Sequence, residues 1–340
     1  MTGTPEAGIP AADELSPAGQ RVLVVGAGML GAALAGRLNR LGCDVVCADR
    51  DEQRARAVGD RAGGRSLALD LADRAETAAA VARLRPDLVV HAAGRLTAAT
   101  AEETAELLTG TAAATTHLAQ AAVQAEVPRF LLLSSLGVYG TPVAPAGTGP
   151  VAVGETAPCR PVTAYGAAKA AAEAIGLGVC AGSRTTVRIA RLSGVYGPGA
   201  RAGGGWMAAS LLRLLALHLT GRSLRVPSWL DNREYLYVDD AARALALFAA
   251  APDDAPTVLN IGTGSPLPVA RVAQAFTALG ATVEVDRPDE DRPAPVKWQL
   301  DVSAARRFLG FTADTPLAVG LASWAAQLRR SSRERNDHDG

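Results

Sequence analysis

The segment AYGAAKAAAE sets Tyr165 four residues ahead of Lys169. Of the 34 basic residues in this 340-residue chain, only Lys169 and Lys297 are lysine. On a helix, residues four apart share a face, so both side chains point to one place. A phenol titrates at about pH 10 and is a weak base at neutrality. A nearby ammonium favours the phenolate and is expected to lower that value. Lysine is a compact charge that also reaches a ribose hydroxyl; arginine's planar fork reaches differently. A third group must orient a substrate hydroxyl. SSLGVYG offers Ser135 for this, with Ser134 as the alternative. The chemistry of such a set is proton exchange with an alcohol oxygen.

A second chemical signal lies near the N-terminus. VVGAGMLG carries Gly26, Gly28 and Gly31 in GxGxxG spacing. Gly26 allows a tight turn after a strand. Gly28 lets backbone approach a pyrophosphate, and Gly31 lets the following helix pack close. Asp49 ends the next strand, where a carboxylate meets ribose hydroxyls and repels a 2′-phosphate. NAD is therefore expected over NADP. The adjacent Arg50 offers a guanidinium to a phosphate and tempers that preference.

These residues need a scaffold. RVLVVGAG, CDVVCADR, SLALDL, DLVVHAAG, RFLLLSSLGVYG and TTVRIARLSGVYG all read as buried strands. MLGAALAGRLNRLG and segments near 51–62, 73–85, 100–126 and 164–181 read as helices between them. Apolar strands alternating with helices imply a parallel sheet covered on both faces. The expected fold is α/β: a doubly wound parallel (Rossmann) sheet over residues 21–195. After Gly197 the pattern changes to a Gly-rich loop, a Leu-rich helix around 206–220, and short apolar segments YLYVDD and VLNIGTG. A helix near 268–279, a strand at TVEVDR, the Pro-rich RPDEDRPAPV and two final helices follow. Residues 196–327 are thus expected to form a smaller C-terminal substrate-binding lobe, with a segment at about 236–262 returning to the first domain. Residues 1–20 and 328–340 are expected to be a disordered leader and tail.

Composition narrows the function classes. The formal net charge is zero, so nothing points to nucleic acid or a membrane surface. No apolar run is long enough to span a bilayer, and the first residues lack a secretory-signal pattern. Cys43, Cys47, Cys159 and Cys180 form no CxxC pair, and His91, His117, His218 and His338 are scattered. No metal site is expected, and reduced thiols suit a cytoplasmic protein. Small residues on consecutive turns of AAATTHLAQAAVQAE and AAKAAAEAIGLGVCAG point to a paired-helix homodimer.

Taken in order, these motifs resemble the extended short-chain dehydrogenase/reductases, the group of NAD-dependent epimerases and dehydratases. The resemblance runs from about Arg21 to Leu309. It rests on VVGAGMLG, Asp70-Leu71, HAAG at His91 to Gly94, SSLGVYG, YGAAK, VYGPG, REYLYVDD, LNIGTG and RPAPV. It implies that Tyr165 is the acid/base, that Lys169 tunes it and binds ribose, and that Ser135 meets the substrate hydroxyl. It assigns Gly26, Gly28, Met29, Leu30, Gly31, Asp49, Arg50, Asp70, Leu71, Ala92, Ala93 and Gly94 to the dinucleotide, together with Tyr165 and Lys169. Gly194, Arg233 and Arg292 fall at substrate positions, the two arginines where a nucleotide-sugar diphosphate is clamped.

The chain also departs from the family pattern. The turn is GxGxxG rather than GxxGxxG. Thr111 stands at the position of a helix asparagine, and Gly194 replaces another asparagine. VPSWLDN precedes REYLYVDD in place of a Gly-rich lead-in. Leu136-Gly137 follows Ser135 where dehydratases carry an acidic pair. Neither residue can supply a proton, so 4,6-dehydration ranks low. The expected function is NAD-dependent epimerisation of a sugar, a nucleotide sugar first, through a keto intermediate. Net NAD(P)-dependent oxidoreduction of a sugar or other secondary alcohol is the alternative, and a non-catalytic dinucleotide sensor ranks third.

Overall fold

A computed structural model describes residues 18–141, 151–202, 204–287 and 298–338. The first seventeen residues of the expected leader, most of RPDEDRPAPV, and Arg292 within it lie outside the described residues.

The chain runs β1 (Arg21–Val25), α1 (Met29–Arg40), β2 (Asp44–Asp49), α2 (Glu52–Ala62), β3 (Arg65–Ala68), α3 (Arg74–Leu84), β4 (Leu88–His91) and α4 (Ala101–Gln124). It continues through β5 (Arg129–Ser135), β6 (Val151–Val153), α5 (Ala164–Cys180), β7 (Thr186–Leu192), β8 (Gly194–Tyr196), α6 (Trp206–Leu219) and β9 (Leu224–Val226). The last part holds β10 (Tyr235–Tyr237), α7 (Val238–Ala250), β11 (Val258–Ile261), α8 (Val269–Thr277), β12 (Val283–Val285), β13 (Trp298–Leu300), α9 (Ser303–Leu309) and α10 (Leu317–His338).

Seven strands form one parallel sheet in the order β11-β7-β5-β4-β1-β2-β3. Alternate residues of each strand face opposite sides, and both sides of the central strands are buried, while the edge strand β3 is largely exposed. Val22 and Val24 of β1 join Leu34 and Leu38 of α1 on one face. Leu23 and Val25 join Leu118 and Ala122 of α4 on the other. This two-sided burial makes the strands read as unbroken apolar runs, each buried Val or Leu stabilising by about 1.5–3 kcal/mol. From β1 the chain winds outward to β3, then crosses to β4 on the other side of β1. β1 and β4 stay paired to their ends, but the chain leaves β1 into α1 on one face and β4 toward α4 on the other, which opens a crevice between the two connections, the place where such sheets take ligands.

Helix starts are fixed locally. Asp51, Asp73, Thr100 and Thr163 cap α2, α3, α4 and α5 by accepting a backbone N–H from Arg54, Glu76, Glu103 and Gly166. Helix α1 differs: its N-cap is Gly28, with no side-chain cap and no acidic residue in the first turn.

The remaining short strands pair as β8 with β10, β9 with β12 and β6 with β13. Tyr196, Leu211, Phe276 and Trp324 form a separate apolar core there. Two features differ from the sequence reading. YLYVDD does not stop as a short segment but runs into α7. That helix is almost wholly buried and packs against α1. The C-terminal tail, expected to lose order at residue 328, continues as α10 to His338. Buried Trp324 and Ala325 anchor that helix, and the following Arg- and Glu-containing stretch lacks Gly or Pro before Gly340.

Candidate active site

The glycine turn sits at the mouth of the crevice. Gly26 has φ +110°, and a Cβ there would lie 2.4 Å from the Ala93 nitrogen, so only glycine lets the turn pass residues 92–94. A Cβ on Gly31 would lie 1.8 Å from the Gly26 carbonyl oxygen, which fixes α1 directly against the turn. A Cβ on Gly28 would meet nothing within 4 Å. The helix thus presents uncapped N–H groups to open space, which fits a pyrophosphate. Met29 and Leu30 pack their side chains against the C-terminal lobe's core, leaving only their backbone to serve a ligand. The Gly199 loop closes over Met29.

Asp49 organises the same turn. Its Oδ2 accepts the Ala27 N–H at 2.8 Å, its Oδ1 accepts the Asp51 N–H at 3.0 Å, and Arg54 stands 3.6 Å away. Arg50 is exposed beside it. Asp70 is exposed and accepts the Ala72 N–H at 3.0 Å; Leu71 is buried, with His117 Nδ1 2.8 Å from its carbonyl oxygen.

Across the crevice, the 3-10 turn Leu136–Tyr139 docks on the first turn of α5. A Cβ on Gly166 would lie 2.3 Å from the Gly137 carbonyl oxygen, so the glycine after Tyr165 permits this contact. The contact sets the Ser135 hydroxyl beside the Tyr165 phenol, near enough to favour the phenolate. Ser135 Oγ also accepts the Gly137 N–H at 3.1 Å. Lys169 is 6% exposed and donates from Nζ to the Leu133 carbonyl at 2.8 Å. Its Nζ lies 5.9 Å from the Tyr165 ring centroid and would stand 3.5 Å from a Cβ on Gly94. Ser135, Tyr165, Lys169 and the loop after β4 therefore converge. Ser134, the alternative, turns the other way: its Oγ bonds Glu173 at 2.5 Å beneath the site.

The electrostatics differ from the sequence expectation in one respect. Burial pushes the Tyr165 phenol up to about 12, with the Ser135 hydroxyl opposing. Burial also pulls Lys169 down to about 8, with Glu173 opposing. The ammonium donates to the Leu133 carbonyl, and desolvation sets the direction of both shifts.

His91 is buried at the end of β4, its Nε2 3.1 Å from Thr115 Oγ1, which itself donates to the Thr111 carbonyl at 2.8 Å. Thr111 thus offers its carbonyl to Thr115, which in turn meets His91. Burial, then the Lys169 charge, lowers His91 to about 3. The folded value lies below the unfolded one, so stability is full above about pH 6.5 and drains as pH falls toward 3. Between pH 7 and pH 5 His91 should cost the fold about 2 kcal/mol. Urea titrations of the parent and His91→Gln should differ by that slope. Parallel pH dependences would contradict the buried neutral ring.

Gly194 is filled in by its neighbours. A Cβ there would lie 2.5 Å from Met207 Cε and 2.7 Å from the Glu234 carbonyl oxygen. No asparagine fits, and Gly194 offers backbone alone. Arg233 Nε donates to the Trp229 carbonyl at 3.3 Å, and its guanidinium carbon lies 5.2 Å from the Trp206 ring centroid. Trp206 is 52% exposed and meets Trp229 in a tilted contact, ring centroids 4.6 Å apart. Sequence reading missed both tryptophans and the buried Glu173–Arg191 pair.

The chain is 32% identical over 319 residues to a dTDP-6-deoxy-L-talose 4-dehydrogenase (NAD(P)(+)) from Kitasatospora kifunensis, covering 90% of this chain and 95% of that protein. It is 26% identical to a dTDP-L-rhamnose 4-epimerase from Burkholderia thailandensis, covering 91% and 96%. A solved structure of MoeE5 in complex with UDP-glucuronic acid and NAD superposes with TM-score 0.75 at 31% identity, covering 92% of this chain and 99% of that one. The model of the NAD dependent epimerase/dehydratase family matches residues 22–262, from the first residues of β1 through the glycine turn and the Ser135–Tyr165–Lys169 set to the end of β11. With that match spanning the sheet and its crevice, the chain belongs to the NAD-dependent epimerase/dehydratase family.

Proposed function

We propose that this protein epimerises a nucleotide-activated hexose by reversible oxidation of one secondary alcohol, with Tyr165 as the acid/base. The observation that carries the reading is the Ser135–Tyr165 hydroxyl pair, with buried Lys169 one helical turn on, facing the loop after β4 at the sheet's crevice. Gly26, Gly28 and Gly31 would hold the pyrophosphate of NAD by backbone, Asp49 its ribose, and Asp70 and Leu71 its adenine end. Residues 92–94 and Lys169 would line the nicotinamide half. The bound dinucleotide supplies the hydride acceptor and donor. Ser135 orients the sugar hydroxyl, and Tyr165 takes its proton as the carbinol is oxidised. Tyr165 returns the proton once the ketone has presented its other face. Lys169 supplies the nearby positive charge that favours the phenolate.

NAD is the proposed cofactor and NADP the second choice. Arg54 beside Asp49 and the exposed Arg50 keep a 2′-phosphate from being strongly rejected. For the substrate, exposed Trp206 beside half-buried Trp229 offers an aromatic surface, and Arg233 a guanidinium beside it. That combination suits a nucleobase or sugar face with a diphosphate. Arg292 is proposed as the second diphosphate ligand. Leu136 packs into a small apolar cluster and Gly137 has no side chain, so no acid follows Ser135 and 4,6-dehydration is disfavoured.

Net dehydrogenation is the second reading, favoured by the Kitasatospora relative. Incubation with thymidine- and uridine-diphosphate hexoses and NAD distinguishes the two. Epimerisation gives a product of unchanged mass without accumulation of reduced nicotinamide. Steady nicotinamide reduction supports the second reading, and no conversion with any of these sugars overturns both.

A further inference from the structure

Glu173 lies four residues beyond Lys169 and eight beyond Tyr165, on the same face of α5, and is 5% exposed. It does not reach the crevice. Instead its carboxylate accepts from Arg191 Nη2 at 2.7 Å and from Nε at 3.0 and 3.2 Å, and from Ser134 Oγ at 2.5 Å. Ser134 and Arg191 are register partners on β5 and β7, so one carboxylate ties α5 to two neighbouring strands at once. Arg191 is held in turn: its Nη1 donates to Tyr139 Oη at 3.0 Å and to the Glu155 carbonyl at 2.9 Å, and its Nη2 reaches Cys159 Sγ at 3.3 Å. Tyr139 donates to Asn260 Oδ1 at 2.6 Å.

A buried ion pair of this kind is a weak source of net stability, since apolar residues of similar volume often serve as well. Its distinctive effect is geometric. Ser134 immediately precedes Ser135, and Lys169 donates to Leu133, the residue before Ser134. We propose that Glu173 is a positioning residue of the reaction: clamped by Arg191 and bonded to Ser134, it locks α5 to the tip of β5 and so holds Tyr165 and Lys169 in register with Ser135. Its negative charge also opposes the burial that lowers Lys169. The other groups facing Lys169 are the Tyr165 ring, His91 on β4, the Leu133 carbonyl and the Gly94 backbone; none carries a negative charge at neutral pH.

The positioning role rests on the function proposed above, but one arm of its test needs no substrate. With only two lysines in the chain, lysine-selective carbon-13 NMR reads Lys169 directly, and Lys297→Arg assigns the signal. Glu173→Gln keeps an acceptor for Ser134 and removes the charge, so the Lys169 midpoint should move to lower pH. Loss of one partner exposes Arg191 to burial without its counter-charge, so the double variant Glu173→Leu/Arg191→Met, which removes both charges, serves where the single one fails to fold. In that folded double variant kcat should fall by about 10- to 100-fold with KM little changed, as expected of misplacement by a fraction of an ångström to an ångström. A Lys169 midpoint that stays put, or a folded double variant with the parent's kcat, overturns the inference. A parent that turns over no sugar sinks the functional reading instead and leaves the NMR result standing.

Discussion

Phenylalanine in place of Tyr165 should stop sugar turnover, with a loss of about 10³-fold or more, while dinucleotide affinity stays nearly unchanged. The substitution removes one oxygen and keeps the ring. The ring still packs beside Lys169 Nζ at the present 5.9 Å, and α5 keeps its Thr163 cap. What disappears is the hydroxyl beside Ser135, the group proposed to exchange a proton with a substrate alcohol. The structural cost is at most a single hydrogen bond, about 1 kcal/mol, so the variant should fold and bind dinucleotide by calorimetry as the parent does. Burial pushes the phenol up to about 12, and Lys169, lowered to about 8, holds most of its charge at neutral pH. Activity should accordingly decline as pH rises through the lysine's range. Undiminished turnover in Tyr165→Phe would remove the proposed base.

Two single methyl groups in the glycine turn should have opposite consequences. Gly31→Ala places Cβ 1.8 Å from the Gly26 carbonyl oxygen, a backbone atom that cannot step aside without moving the strand or the helix. That variant should lose about 3 kcal/mol or more of stability, and dinucleotide binding with it. Gly28→Ala places its methyl in open space, at an N-cap with φ −75° that alanine readily adopts. Its melting temperature should match the parent's, yet dinucleotide affinity should fall by about tenfold or more, because the methyl stands where the pyrophosphate approaches α1. Thermal melts and calorimetric titration of the two variants separate packing from binding. Parent-like affinity in Gly28→Ala would mean that the pyrophosphate lies elsewhere.

The contrast between these glycines also marks what the sequence could reveal. The sheet was legible because each central strand is buried on both faces and so reads as an unbroken apolar run. The glycine turn and the Tyr165–Lys169 pair were legible because their geometry is local: a turn, and one helical repeat. Tertiary contacts carry no such mark. Arg191 follows Glu173 by 18 residues, and Asn260 follows Tyr139 by 121, so nothing in spacing joins them before β5, β7 and β11 are laid side by side. Gly194 reads as a missing asparagine until Met207 is seen filling its space. The phenol's upward shift was not readable either, since the sign depends on how deeply packing buries the pair and on which acceptor Lys169 finds.

The central claim, that Tyr165 serves a transient oxidation whose hydride returns to the same sugar, is tested most directly with a nucleotide hexose carrying deuterium on the carbinol carbon. Mass spectrometry of the epimerised sugar should find the deuterium still on that carbon, in the opposite configuration. A product that has exchanged its label for solvent hydrogen would contradict the account, because stereochemistry would then be inverted by deprotonation at carbon.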